Sequence, residues 1–282
     1  MAVTVGLVAQ IIERIAPKSW AEDWDNVGLL VGSGSAPIER LLITLDGTLE
    51  VVEEAKAFGA QLIVAHHPII FRPLKNLRAD NAAAQVPLRL LQHSIGYYTA
   101  HTNLDQSPLS SSRALGELLG LREMKIFDEP EYDLIPIQKR GEARGYGVSG
   151  YLTQPEKLGV LWKNFLERLD QSGVYAHPYK LSGVRLAGSL EKDVRKVAIV
   201  NGSGGRFVPK ALFKGADLLI TGDVDHHAVL DALEGGMAVG DLGHFLSEAP
   251  MLQALYQYLS AEKALQGIEI RVSLTNQPPW LV

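Results

Sequence analysis

At 282 residues the chain can bury a large core, and its length suggests two units of ordinary domain size. A net charge of -5 and a pI near 5.9 exclude a nucleic-acid surface, which needs a basic stripe, and the absence of cysteine excludes disulfide scaffolds and thiolate metal sites. No apolar run reaches roughly 18 residues, and MAVTVGLVAQIIERIA breaks at Glu13 like an amphipathic helix, so we expect a globular cytoplasmic protein without membrane contact.

In chain order, the spacing of apolar residues predicts a helix from Thr4 to Ala16, stopped by Pro17. WAEDWDNVGLLVG follows, with Asp25 and Asn26 read as turn formers feeding a strand to Val31. Arg40–Leu45 reads as a strand, Thr48 as the N-cap of a helix through Phe58, and Gly59 as its C-terminal glycine. The next strand is QLIVAHHP, ended by Pro68, with His66 and His67 at its carboxyl end, where open α/β sheets place their sites. A metal would suit two imidazoles there; a surface or hydrogen-bonded histidine pair is the alternative. A helix from Asn81 to His93, a strand Ile95–Ala100 ending in His101-Thr102-Asn103-Leu104-Asp105, and a helix Ser110–Leu119 complete a first half, residues 1–125.

Residues 126–195 break the rhythm and read as a connecting segment or small subdomain, with a helix from Pro155 to Leu169 and short strand-like runs around His177-Pro178. Gly145, Gly147 and Gly150 precede a strand rather than open a helix, which fails the dinucleotide-loop context. The rhythm then returns as a copy, opening a second half, residues 196–282. KVAIVNGSGGRFVPKALFKGADLLITGD lies over RLLITLDGTLEVVEEAKAFGAQLIVAHH without a gap, and each half continues to a histidine with an acid four residues on, His101/Asp105 and His244/Glu248. The expected fold is α/β, two related halves around a shared site.

His66, His67, His101, Asp105, His244 and Glu248 all fall at or just past strand ends, and they outnumber the donors one tetrahedral zinc requires. Carboxylates can bridge two ions roughly 3.5–4 Å apart. Imidazole and carboxylate without thiolate suit Zn, Fe, Mn or Co, and two such ions would bring the pKa of a shared water toward roughly 7. We therefore expect two divalent metal ions per chain. The loop Gly202-Ser203-Gly204-Gly205 could cradle phosphate, but no Lys-Ser/Thr follows it and a plain tight turn fits better. His226 and His227 read as the start of a helix capped by Asp225, or as groups that orient substrate or shuttle protons.

WDNVGLLVG, AHHP, HTNLD, GSGG, TGD and GHFLSE, in this order along nearly the whole chain, resemble the Nif-three-like dinuclear-metal family, whose members carry the name GTP cyclohydrolase 1 type 2 homologue. The resemblance implies an α/β fold of two intertwined, duplication-related halves with mixed sheets and a metal site between them, a ring-shaped homohexamer, and two metals at the inner strand ends. By motif the ligands would be His66, His67, Asp105, His244 and Glu248, with His101 a neighbouring or weakly liganding group and the candidate catalytic residue. It further implies a metal-dependent hydrolase whose metal-bound hydroxide attacks C8 of the guanine ring of GTP. A phosphate-ester hydrolase, or a non-catalytic metal-binding or regulatory assembly, are the alternatives. Two departures stand out: Asn201 where many members have a small residue or cysteine, and the missing central insertion of some members. Neither is expected to touch a metal ligand.

Overall fold

The computed structural model describes residues 2–130, 144–175, 181 and 183–280. The protein is α/β, built from two compact units, each around its own mixed sheet. Unit 1 comprises residues 1–104 and 252–277, and unit 2 residues 105–251 and 278–282.

Unit 1 opens with helix α1 (Val5–Ile15), where Thr4 accepts from the Leu7 N–H as N-cap and Val5, Val8, Ile11 and Ile12 form the buried stripe. Strand β1 (Gly28–Val31), β2 (Arg40–Thr44), helix α2 (Leu49–Phe58), β3 (Leu62–Ala65), α3 (Gln85–Gln92) and β4 (Gly96–Thr99) follow. Thr48 caps α2 and Gly59 closes it at φ 73°, as the sequence predicts. The helix expected from Asn81 begins instead as a short 3-10 turn over Ala82–Ala84, so α3 is shorter than expected. β2, β3 and β4 are parallel and in step, with Thr44 beside Ala65 and Ala65 beside Thr99, so their carboxyl ends are level.

Unit 2 contains the short helix α4 (Thr102–Asp105) only through Asp105, then α5 (Ser111–Leu119), β5 (Arg122–Asp128), β6 (Tyr146–Lys157), α6 (Leu158–Gln171), β7 (Arg185–Ala187), β8 (Asp193–Ser203), α7 (Val208–Phe213), β9 (Leu218–Gly222), α8 (His226–Glu234), β10 (Ala238–Asp241) and α9 (His244–Glu248). Helix α10 (Pro250–Ala261) leads the chain back to β11 (Glu269–Val272), which pairs with β2. The sheets run β1-β4-β3-β2-β11 and β5-β6-β8-β9-β10-β7.

These units replace the expected boundaries at 125/126 and 195/196. Residues 126–195 supply β6, β7 and the end of β5 to the second sheet, together with α6, and are not a separate connector, because β6 zips antiparallel to both β5 and β8. The helix expected from Pro155 starts at Leu158; Pro155 lies in β6 where the β6–β8 register shifts, the kind of position where a residue without an N–H is tolerated. The runs expected around His177-Pro178 lie outside the described residues.

The duplication is visible bond by bond. Leu41 pairs with Leu62 in the first copy and Val197 with Leu218 in the second, the same positions of the ungapped alignment. Gln61 Oε1 accepts from the Glu39 and Arg40 N–H groups, and its counterpart Asp217 accepts from those of Arg195 and Lys196. Leu42, Ala55 and Ile63 sit in one core, and their equivalents Ala198, Ala211 and Leu219 in the other. The copies part after Ile199, where the β8–β9 register shifts.

Unit 1 has its own pH-sensitive clasp. Glu54 of α2 accepts from the Leu274 N–H at 2.8 Å, the Thr275 hydroxyl at 2.7 Å and the Ser273 hydroxyl. Burial pushes its carboxyl up, but these hydrogen bonds outweigh burial and hold it below the usual glutamate range. A depressed folded pKa stabilises above the unfolded value near 4.3 and loses that contribution as pH falls through the folded one. Glu54→Gln should therefore cost about 1–2 kcal/mol at pH 7 and much less near pH 3, measured by urea denaturation at both pH values. An equal cost at both would contradict the charge-assisted reading.

Candidate metal centre

Three histidines gather at the level carboxyl ends of β3 and β4. His66 and His67 follow β3 directly and His101 follows β4, and their ring centroids lie 4.9, 5.1 and 5.5 Å apart. One ring nitrogen from each falls within 4.8 Å of the others. Two donors about 2.1 Å from one tetrahedral ion sit roughly 3.4 Å apart, so the three rings have the spacing of a ligand set before it tightens on an ion.

Each ring is tied through Nδ1. His67 Nδ1 bonds Asp46 Oδ1 at 2.7 Å, His101 Nδ1 bonds Asp25 Oδ1 at 2.8 Å, and buried His66 Nδ1 donates to the Ala100 carbonyl at 2.9 Å. A carbonyl or carboxylate here only accepts, so the proton sits on Nδ1 and Nε2 carries the lone pair of the neutral ring. This orienting bond is the usual companion of a metal-binding imidazole.

Asp25 is therefore more than the turn former expected. Its side chain has no solvent exposure, and Oδ2 accepts from the Thr102 N–H at 3.1 Å and hydroxyl at 2.6 Å. Burial pushes its carboxyl up, but the bonds from His101 and Thr102 outweigh it and bring the value down to about 2. Asn26 is also specifically used, its amide donating to the Ile70 carbonyl at 2.5 Å.

Unit 2 carries a second donor set. His244 begins α9 and Glu248 ends it, one helical turn on, with His244 Nε2 3.2 Å from Glu248 Oε2. Asp223, at φ 49°, follows β9 and binds His244 Nδ1 at 2.8 Å, the same tie as in unit 1. A carboxylate oxygen of Asp105 lies within 4.8 Å of one from Glu248. Glu248 is only 3% exposed, so its charge needs cationic or hydrogen-bonding neighbours to be sustained. The Ser111 hydroxyl fixes the end of the helix, donating to the Glu248 carbonyl at 2.5 Å and accepting from the Met251 N–H at 2.8 Å.

The dipeptide Asn201-Gly202 in β8 positions both carboxylates. Asn201 donates through Nδ2 to Asp105 Oδ1 at 2.6 Å, while its Oδ1 accepts from the Ser110 hydroxyl at 2.9 Å and the Ser112 hydroxyl at 2.7 Å. Asn201 thus touches a predicted ligand, contrary to expectation. A Cβ on Gly202, whose φ is +69°, would stand 2.3 Å from Glu248 Oε1. The Gly202 N–H donates to Ser247 and the Gly204 N–H to the Gly222 carbonyl, so both are committed within the protein, as in a plain tight turn. His226 and His227 start α8 under the Asp225 cap, the simpler of the two expectations.

His101 and His244 are not equivalent, although the sequence repeat suggests it. The Ala100 N–H reaches the Ala65 carbonyl and the Leu242 N–H reaches that of Thr221, so Ala100 matches Leu242 and His244 matches Thr102. The bulge-free register of β4 and β10 sets this one-residue offset. The partners Asp46, Asp25, Asp223 and Asn201 were missed as site residues; the one available signal was an acid or amide beside a turn at a strand end.

The model of the family described as Duf34/NIF3 (NGG1p interacting factor 3) matches residues 3–279. A Clostridium perfringens protein named GTP cyclohydrolase 1 type 2 homolog is 35% identical over 273 residues, covering 97% of each chain. A Clostridium acetobutylicum protein of the same name is 31% identical over 282 residues, covering 99% of each. The crystal structure of a Bacillus cereus protein related to NIF3 superposes with a TM-score of 0.87 at 25% identity, covering 100% of this chain and 99% of the other. A two-unit α/β protein with strand-end histidines defines the class, and the chain belongs to the DUF34/NIF3 family.

Asn201→Ala removes the donor that holds Asp105, and Gly202→Ala drives a Cβ against Glu248. Each should weaken binding of added Zn or Mn by about 10–100-fold, measured by competition with a chromogenic chelator. Native affinity in both variants would show that the dipeptide does not position ligands.

Proposed function

We propose that His66, His67, Asp105, His244 and Glu248 hold two divalent metal ions and that the protein is a metal-dependent hydrolase of the GTP cyclohydrolase 1 type 2 kind. The observation that carries this reading is the tie shared by four histidines. His66, His67 and His244 each spend Nδ1 on an acceptor, which leaves Nε2 to ligate, and His101 is tied in the same way with its Nε2 left for proton transfer. Buried and hydrogen-bonded carboxylates beside such rings fit Zn, Fe, Mn or Co, and the chain offers no thiolate to compete. Such ions would supply Lewis acidity and bring the pKa of a water toward about 7.

The rest of the work falls to the chain. His101, held by ionised Asp25, can pass a proton through Nε2 to or from the reacting ring of a bound nucleotide. Asp46 and Asp223 keep their histidines from rotating, and Asn201 restrains Asp105 through one oxygen. Ring opening at C8 of guanine followed by loss of formate is the sharpest form of the reaction. The homohexamer implied by the family resemblance belongs to this proposal, and light scattering at micromolar concentrations tests it. Among the described residues no helix is long and apolar enough to cross a membrane.

Purified protein reconstituted with Zn, Mn or Fe should retain two ions per chain by elemental analysis, and GTP should yield formate only in the metal-loaded form. Glu248→Gln should lower occupancy of both ions together, because a carboxylate can serve two ions, whereas His66→Ala should deplete mainly one. At most one ion per chain in the parent protein would overturn the dinuclear reading. Two retained ions without turnover of any nucleotide would favour a non-catalytic metal-binding assembly.

A further inference from the structure

Trp24 and Phe71 are large aromatic side chains that unit 1 leaves half exposed, at 53% and 49%. Their ring centroids lie 5.8 Å apart with planes at 51°, and the Trp24 and His101 rings meet at 77° with centroids 6.2 Å apart. Neither ring stands on a slack segment. Asp25, next to Trp24, is fixed by His101 and Thr102, and Asn26 is tied to the carbonyl of Ile70, next to Phe71. The two rings are therefore held as an open corner beside the three-histidine cluster.

The chain continues from Phe71 as FRPLKNLR, with Arg72, Lys75 and Arg78 and no acid before Asp80. Arg78 pairs with Asp80, whereas Arg72 and Lys75 are exposed and have no ion-pair partner among the described residues. In a chain of net charge -5 this is a local cationic strip joined to an aromatic corner. An uncharged apolar ligand would gain nothing from the cations, and a simple anion nothing from the rings. A nucleotide uses both, stacking its base on aromatic faces and setting its phosphates against basic side chains.

We infer that Trp24 and Phe71 stack the base of a nucleotide beside His101, with Arg72 and Lys75 taking its phosphates. This deepens the hydrolase reading by naming a substrate subsite, and it rests on that reading only for the direction of the chemistry.

Calorimetric titration of the metal-loaded full-length protein with GTP, guanosine and ribose 5-phosphate tests it. Trp24→Ala and Phe71→Ala should each weaken GTP and guanosine by about tenfold or more while leaving metal content unchanged. Trp24→Phe keeps a flat ring and should restore most of the affinity. The double change Arg72→Ala/Lys75→Ala should weaken GTP but not guanosine, and flatten the salt dependence of GTP binding. Native GTP affinity in Trp24→Ala, or no binding of GTP to the parent protein, overturns the inference. Trp24-dependent binding without formate release would sink the hydrolase reading and leave the subsite standing.

Discussion

The candidate site depends on the Nδ1 bond that each strand-end histidine makes. An imidazole at a strand end can rotate about two torsions, and only an acceptor on one nitrogen selects both its tautomer and the direction of the other. In unit 1 those acceptors come from three places, Asp46 after β2, Asp25 ahead of β1, and the Ala100 carbonyl after β4. They meet the rings only because β2, β3 and β4 run parallel and end level. A slip of one residue in β3 would turn its side chains to the opposite face and separate His67 from Asp46.

Much of this was readable in the chain. Apolar runs bounded by caps gave β2, α2 and β3 nearly residue by residue, because Thr48 and Gly59 satisfy helix ends in the ordinary way. The six histidines and carboxylates stood out because histidine is uncommon at buried strand ends. Their partners did not, since Asp and Asn at turns are equally the residues that make turns. Asp25 reaches His101 across 76 positions, and nothing local distinguishes it from an ordinary turn residue. Residues 126–195 were misread for a different reason. β6 carries few fully buried side chains and β7 is a short edge strand, so neither shows the strong alternation that marks a strand.

The duplicated scaffold gives its two copies different work. In the ungapped alignment Asp46 falls on Gly202 and His67 on Asp223. In the first copy the pair is an orienting carboxylate and the ring it orients. In the second, the position of the ring holds the orienting carboxylate, Asp223, whose partner is His244 from the next element. The position of the first carboxylate is glycine, and the space a side chain would fill belongs to Glu248. The departure of the two copies after Ile199 is what permits this exchange, because the bulge in β8 carries Asn201 and Gly202 out of step with Leu45 and Asp46. A scaffold shared to its hydrogen bonds through the strands therefore presents three imidazoles past the strand ends of one copy and one imidazole with a buried carboxylate, His244 and Glu248, past those of the other. The difference between the two donor sets is confined to the few residues past the strand ends, where an orienting carboxylate in one copy stands at the position of a ring in the other.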